Sequence, residues 1–198
     1  MKKINNHVLS YFSQLTKLSN NINKRDIDRL ATTLAAIRKK EGRVFFLGVG
    51  GSAGNCSHAV NDFRKICEIE CYTPTDNVSE LTARINDDGW ESAFANWLQV
   101  SKLNSKDAIF IMSVGGGNKK KNVSVNLIKA IQFAKKVKAK VLGVVGRDGG
   151  YSKKVGDNVI LIPTIDKNLI TPYSESFQSV VWHCLVSHPV LKKRKMKW

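Results

Sequence analysis

The 198-residue chain carries 32 Lys and Arg against 16 Asp and Glu, a formal net charge of +16 at pH 7. Its 42% hydrophobic and 24% charged content is that of a soluble globular domain, long enough to bury roughly two-thirds of its unfolded surface without a disulfide or metal staple. No run of about eighteen apolar residues is present to cross a membrane, and Met1-Lys-Lys-Ile-Asn-Asn-His7 is not followed by an apolar signal core, so the cytoplasm is the default compartment.

In chain order, Val8, Phe12, Leu15 and Leu18 fall at helical spacing over 6–19, and Ile27, Leu30, Ala31, Leu34 and Ile37 do so over 26–40. Two leading amphipathic helices need something to cover their stripes, the domain itself and a second subunit, which predicts an oligomer. A first strand is expected at 44–47 and a helix from about Ser52. A strand over 68–73, a short helix over 76–84, a turn-forming loop at 86–90 and a helix over 91–103 follow. Residues 107–113, 140–145 and 158–162 read as further strands, 123–137 as a helix, and 174–186 as a closing helix stopped by His188-Pro189. Alternating helices and apolar strands argue an α/β fold, a five-stranded parallel sheet covered on both faces, in one domain spanning 1–198.

Excess charge gathers in Arg38-Lys-Lys40, Lys119-Lys-Lys121 and the tail from Lys192 to Trp198. No helix shows a continuous basic face with interleaved aromatics, so no specific nucleic-acid partner is indicated; the field instead steers anionic substrates. The four cysteines, Cys56, Cys67, Cys71 and Cys184, match no C-x-x-C pattern and read as reduced hydrophobes.

The chain is organised around Val44 to Phe63. Four apolar residues break into Gly48-Val-Gly-Gly-Ser52, and the helix beyond aims its free N–H groups at the glycine turn, a seat for phosphate. His58 and Asp62, four apart, share one face of that helix. A second glycine loop, Val114-Gly-Gly-Gly-Asn118, follows the third strand on the same sheet edge, where such sheets bind ligands. Neither loop completes a nucleotide motif: the first reaches G-x-G-x-x-G only with alanine in the last place, and the second lacks Gly-Lys-Ser/Thr. Glu175 and His183 lie eight apart on the closing helix, pointing roughly the same way toward His58 and Asp62. The four make either a zinc-type divalent site or a metal-free general acid and base, and His183 reads equally as a core histidine.

Gly48-Val-Gly-Gly-Ser-Ala-Gly-Asn-Cys-Ser-His-Ala-Val-Asn-Asp-Phe63 resembles the phosphoheptose isomerase branch of the SIS (sugar isomerase) domain family. So do Asn86-Asp-Asp-Gly-Trp-Glu91, Gly146-Arg-Asp-Gly-Gly150 and Thr171-Pro-Tyr-Ser-Glu-Ser-Phe-Gln-Ser-Val-Val-Trp-His183, in the family's order. The resemblance implies a flavodoxin-like five-stranded sandwich, a homotetramer with interfacial active sites, and conversion of sedoheptulose 7-phosphate to an aldoheptose 7-phosphate through an enediol, feeding lipopolysaccharide or capsule heptose. It implies Asp62 and His183 as catalytic residues and His58, Asp62, Glu175 and His183 as ligands of a divalent metal, zinc where one is used. Substrate-binding positions carry over to Gly50, Gly51, Ser52, Asn86, Asp87, Ser113, Gly115, Gly116, Ser124 and Glu175. The chain departs from the pattern in having Val49 for asparagine, Asp62 for glutamate, Glu175 for glutamine and Gln178 for histidine. Its phosphate loop exchanges hydroxyls for glycines and gains Lys119-Lys-Lys-Asn-Val before Ser124. These departures leave a second reading open, a non-catalytic SIS module that binds a sugar phosphate.

Overall fold

Side chains along the strands alternate between two apolar layers, and this alternation sets the architecture. In the computed structural model, which describes residues 5–195, Val44–Leu47 (β1), Cys71–Tyr72 (β2), Ala108–Ser113 (β3), Lys140–Val145 (β4) and Asn158–Leu161 (β5) form one parallel sheet. The order is β2-β1-β3-β4-β5. Met1–Ile4 and the tail residues Met196–Trp198 lie outside the described residues.

Phe46, Phe110, Met112 and Ile160 face one layer, with α1 (Asn6–Asn21), α2 (Lys24–Lys39), α3 (Gly51–Cys67) and α8 (Ile170–Ser187). Phe45, Leu47, Ile109 and Val141 face the other, with α4 (Val78–Asp88), α5 (Ala93–Val100), α6 (Val125–Lys136) and α7 (Gly150–Val155). The predicted parallel sheet is therefore observed, with helices on both faces. No helix among the described residues is long and apolar enough to cross a membrane.

Local chemistry explains the boundaries. Asn5, Asn23 and Asn77 cap α1, α2 and α4 by accepting from the backbone N–H of His7, Asp26 and Glu80. Asp107, 2% exposed, accepts from the Arg43 backbone N–H at 2.9 Å and from its guanidinium at 2.8 Å, tying the start of β1 to the start of β3. That pairing also raises the Arg43 pKa.

Several expectations shift. Glu68, in the left-handed region at φ 54°, delays β2, which is a two-residue edge strand rather than a strand over 68–73. Asn86, Asp87 and Asp88 form the last turn of α4 instead of a loop, and Gly89 at φ 79° ends the helix. The helix expected over 91–103 covers only Ala93–Val100. α8 begins at Ile170, four residues before the expected Ser174, because Pro172 is tolerated in a first turn. Helix α7 was not anticipated. All four cysteines are free, and only Cys184 is exposed. Burial pushes the Cys67 thiol up to about 12 against the opposing pull of Arg38, and raises Cys56 and Cys71 as well, so these three stay as neutral packing groups.

Phe46 is fully buried between Phe63 (5.3 Å between ring centroids) and Phe110 (4.9 Å). Phe46→Ala is expected to cost about 3–5 kcal/mol, read as a lowered urea midpoint at unchanged m-value. Asp157 accepts from the Val141 N–H at 2.8 Å and pairs with Lys135 and Lys140. Burial favours its neutral form, but these partners together outweigh burial and hold the carboxyl below its ordinary value. A carboxyl depressed on folding contributes stability above its unfolded pKa and loses it as pH falls through the folded one. Asp157→Asn should therefore lower stability near neutrality and flatten its decline below about pH 4, measured by urea unfolding across pH.

Candidate active site

The strand order reverses direction between β1 and β3, and in open parallel sheets the crevice at such a switch point receives the ligand. Both glycine loops open there. Gly50, at φ 63° and ψ −130°, adopts a backbone that only glycine takes readily, and this lets the chain turn from β1 directly into α3. Gly116, at φ 65°, packs against the Gly149 carbonyl, where a Cβ would collide, so the second glycine loop lies close against the turn after β4.

Between the loops is a cavity of about 810 Å³. Ser52 and Ser113 line it, with Gly115 and Ser124. Ser113 Oγ accepts from the Gly116 N–H at 3.0 Å, which leaves its hydroxyl proton free to donate. Ser52 stands in the first turn of α3 and Ser124 at the N-cap position of α6, with no side-chain capping bond, so two helix N-termini face the same space.

Not every expected binding residue arrives there. Gly50 sits at the turn, and Gly116 is occupied against Gly149. Asn86 and Asp87 are exposed on α4 outside the cavity lining, with Asn86 Nδ2 donating to Asp87 Oδ1 at 2.8 Å. Lys121, from the lysine run after the second glycine loop, lines the cavity, and so do Arg147, Thr164, Lys167 and Thr171, which were not anticipated as binding residues. The signal that would have found Thr164, Lys167 and Thr171 is topological: the loop after β5 ends on the same edge as both glycine loops.

The ionisable cluster lies farther along α3. Ligand atoms of His58, Asp62 and His183 all fall within 4.8 Å of one another. Asp62 is buried, its Oδ1 accepting from Asn61 Nδ2 at 2.8 Å and its Oδ2 lying 3.8 Å from His58 Nε2. His183 Nδ1 is 2.8 Å from the Ser179 carbonyl, an arrangement that puts the proton on Nδ1 and leaves Nε2 as a free acceptor or ligand. His183 is exposed and stacks on Trp182, so it is not a core histidine.

Glu175 does not join this group. Its carboxylate lies against Gly51 at the N-terminus of α3, where the helix dipole favours negative charge. Eight residues along a helix amount to about 12 Å of rise and about 80° of residual rotation, so a shared heading cannot bring Glu175 and His183 to one point. Of the four expected ligands the structure brings together His58, Asp62 and His183, a group that could hold a metal ion, and leaves Glu175 apart.

Asn55 locks α3 to α8. Its Nδ2 donates to the Glu175 carbonyl and to Gln178 Oε1, both at 3.0 Å, and its Oδ1 accepts from Ser179 Oγ at 2.7 Å.

The family profile of the SIS domain matches residues 10–146. A phosphoheptose isomerase of Helicobacter pylori (strain ATCC 700392 / 26695) is 30% identical over 167 residues, covering 82% of this chain and 79% of the relative. The chain belongs to the SIS domain family, in its phosphoheptose isomerase branch. Two solved phosphoheptose isomerases share the SIS fold at 20% identity and TM-score 0.79. That of Neisseria gonorrhoeae matches 91% of this chain and 96% of its own, and that of Francisella tularensis 91% and 94%. Against this SIS fold the cavity and the histidine–aspartate cluster are joined by one helix, α3, with α8 bound alongside. Asn55→Ala removes all three bridging contacts and leaves Gln178 Oε1 buried without a donor. A loss of about 1–3 kcal/mol is expected, read as a lowered melting temperature.

Proposed function

We propose that the chain is an aldose–ketose isomerase acting on sedoheptulose 7-phosphate, or a closely related sugar phosphate, through an enediol. The observation that carries this reading is the placement of an anion seat and a proton-transfer cluster on one helix. From Ser52 to His58 the rise is about 9 Å, the scale of an extended sugar phosphate. The phosphate rests on the hydroxyls of Ser52, Ser113 and Ser124 and on the free N–H groups opening α6, beside the α3 N-terminus against which the Glu175 carboxylate already lies. The sugar runs along α3 and presents its reacting carbons to the cluster.

There the Asp62 carboxylate removes the proton from the carbon beside the carbonyl and returns it to the neighbouring carbon. His183, whose Nε2 is free, carries the proton between the two oxygens. Two imidazoles and a carboxylate suit a divalent ion such as zinc with a position left open, and the His183 tie to a backbone carbonyl is the support such ligands ordinarily have. As an alternative to the metal-free acid and base roles of Asp62 and His183, the residues His58, Asp62 and His183 would hold that ion, which would supply polarisation of the substrate carbonyl when bound.

The same reading makes the protein a homo-oligomer, a tetramer with sites at subunit interfaces. His58 and His183 are open on the single chain, and enediol chemistry needs water excluded. Apolar surface that a neighbouring copy would cover is available on α1, where Phe12 is 63% and Leu9 54% exposed. Asn86 and Asp87, outside the cavity of their own chain, are then offered to a neighbour's. The compartment is the cytoplasm and the product feeds lipopolysaccharide or capsule heptose.

Proton NMR in D₂O with sedoheptulose 7-phosphate, with and without zinc, tests this. Exchange at carbons 1 and 2 is expected from the intact protein. Asp62→Asn and His183→Ala should each slow it by about 10²–10⁴-fold. Silence from the folded, zinc-supplemented protein across a panel of ketose and aldose phosphates would instead favour a module that binds sugar phosphate without turning it over.

A further inference from the structure

Every connection that leads into a strand carries lysine. The stretches 38–43, 64–70, 101–107, 135–140 and 153–157 enter β1, β2, β3, β4 and β5 in turn, and 191–195 follows α8 to the same edge of the sheet. Together they hold 18 Lys and Arg against five Asp and Glu, a net of +13 out of the chain's +16. Backbone hydrogen bonds fix them side by side: the Val44 N–H donates to the Glu70 carbonyl, the Ala108 N–H to that of Arg43 and the Lys140 N–H to that of Asp107, at 2.9, 2.9 and 3.0 Å. The tail is pinned there too, with the Lys193 and Arg194 N–H groups on the Ile66 carbonyl and the Arg38 guanidinium on the carbonyls of Cys67 and Leu191. This edge is opposite to the one on which both glycine loops open.

The fold's own needs account for only part of this charge. Six helices, α2, α3, α5, α6, α7 and α8, end here, and each C-terminus presents about half a negative charge, about −3 in all. The arginines are engaged within the protein. Besides Arg38, Arg43 pairs with Asp107, Arg64 donates to the Cys71 carbonyl and covers the Tyr72 ring, and Arg194 pairs with Glu68. Lys135 and Lys140 share Asp157. What faces outward is lysine. Lys39, Lys40, Lys102, Lys106, Lys136 and Lys138 are exposed, and among the described residues their ammonium groups make no ion pair or hydrogen bond. Like charges gathered this closely repel one another, a cost that an anionic partner laid over them removes.

We propose that this edge is a docking surface for an anionic lipid bilayer, on which the protein adsorbs without any segment crossing it. The six stretches spread over a face of about 20 by 30 Å, five strands wide with a helical layer on either side, an area rather than a groove. A nucleic acid strand calls for cations along a line, arginine forks on its phosphates and open aromatic rings under its bases. Here the arginines are engaged inside, and Tyr72, exposed on this edge, lies under Arg64 with its hydroxyl on Glu70. Flexible lysines suit the diffuse charge of lipid headgroups, each raising the partition about fivefold. Adsorption by this edge leaves the cavity turned to solvent, open to a soluble substrate, so the inference stands apart from which sugar phosphate the site takes.

Co-sedimentation of the full chain with vesicles tests it, using phosphatidylcholine alone and phosphatidylcholine with about one-third phosphatidylglycerol. Binding is expected to the anionic vesicles only, falling steeply as salt is raised. Lys102→Gln/Lys106→Gln and Lys136→Gln/Lys138→Gln should each lower the partition coefficient about tenfold or more. Lys119→Gln/Lys120→Gln, which removes equal charge from the opposite edge, should leave it nearly unchanged. Equal recovery with neutral and anionic vesicles, or an anionic preference that both edge pairs leave intact in folded protein, overturns the inference. A matching loss in the Lys119/Lys120 variant overturns it as well, since net charge alone then explains adsorption. Tighter binding to duplex DNA at the same phosphate concentration, weakened by the same edge pairs, also overturns it and assigns the edge to nucleic acid.

Discussion

Helices α3 and α8 lie side by side in matched order, and this contact decides where the chemistry can occur. Glu175 meets Gly51, Gln178 and Ser179 meet Asn55, and His183 meets His58 with ring centroids 5.7 Å apart. Each step along one helix has its counterpart on the other. A single slip of one turn, about 5.4 Å, would carry His183 out of reach of Asp62 and lift Glu175 off the N-terminus of α3. Asn55 resists the slip because its amide is shared by three groups of α8, all at hydrogen-bonding distance, in a partly buried setting where each contact is worth more than at the surface.

Below the contact, the apolar packing supplies rigidity. Trp182 is fully buried and has the His58 ring 4.7 Å from it, so the same residue closes the core and supports an exposed imidazole. Phe63, on the next turns of α3, reaches down to Phe46 in β1. A path of close-packed side chains therefore runs from the central sheet to the cluster, and the cluster inherits the sheet's position rather than a loop's. The anion seat is built differently. It uses backbone at the ends of β1 and β3, where glycines permit close approach, and its hydroxyls come from three separate segments.

This division explains what was legible in the sequence. Apolar runs at 44–47, 108–113 and 140–145 announced their strands, since a strand buried on both faces has few polar positions to confuse the reading. The His58–Asp62 pair was legible because one helix carries both, and helical spacing is a local rule. Glu175 is beyond the reach of spacing alone, because a shared heading on a helix says nothing of the roughly 12 Å of rise between it and His183. Asn86-Asp-Asp-Gly89 has a turn-like composition, yet only the glycine breaks the helix; α4 is held by its Asn77 cap and by the Glu80–Arg84 pair upstream. Helix α7 is six residues long, too short for periodicity to register. Thr164, Lys167 and Thr171 reach the cavity through the topology of the sheet, a property no window of sequence contains.

The charge pattern adds a constraint that motif spacing left open. Net positive charge spread over a surface steers anions without choosing among them. Here part of it is converted into position: the bridge between Asn118 and Val123 turns a run of three lysines into one parked on Tyr151 and one lining the cavity. A loop that only raised the local potential would need no such bridge, since solvated lysines do that from any conformation. The bridge orders five residues at a cost in backbone entropy of about 1–2 kcal/mol for each one fixed. That cost makes sense where Lys121 must stand at a particular place on the cavity wall, with Arg147 and Lys167 on the loops after β4 and β5 along the same sheet edge.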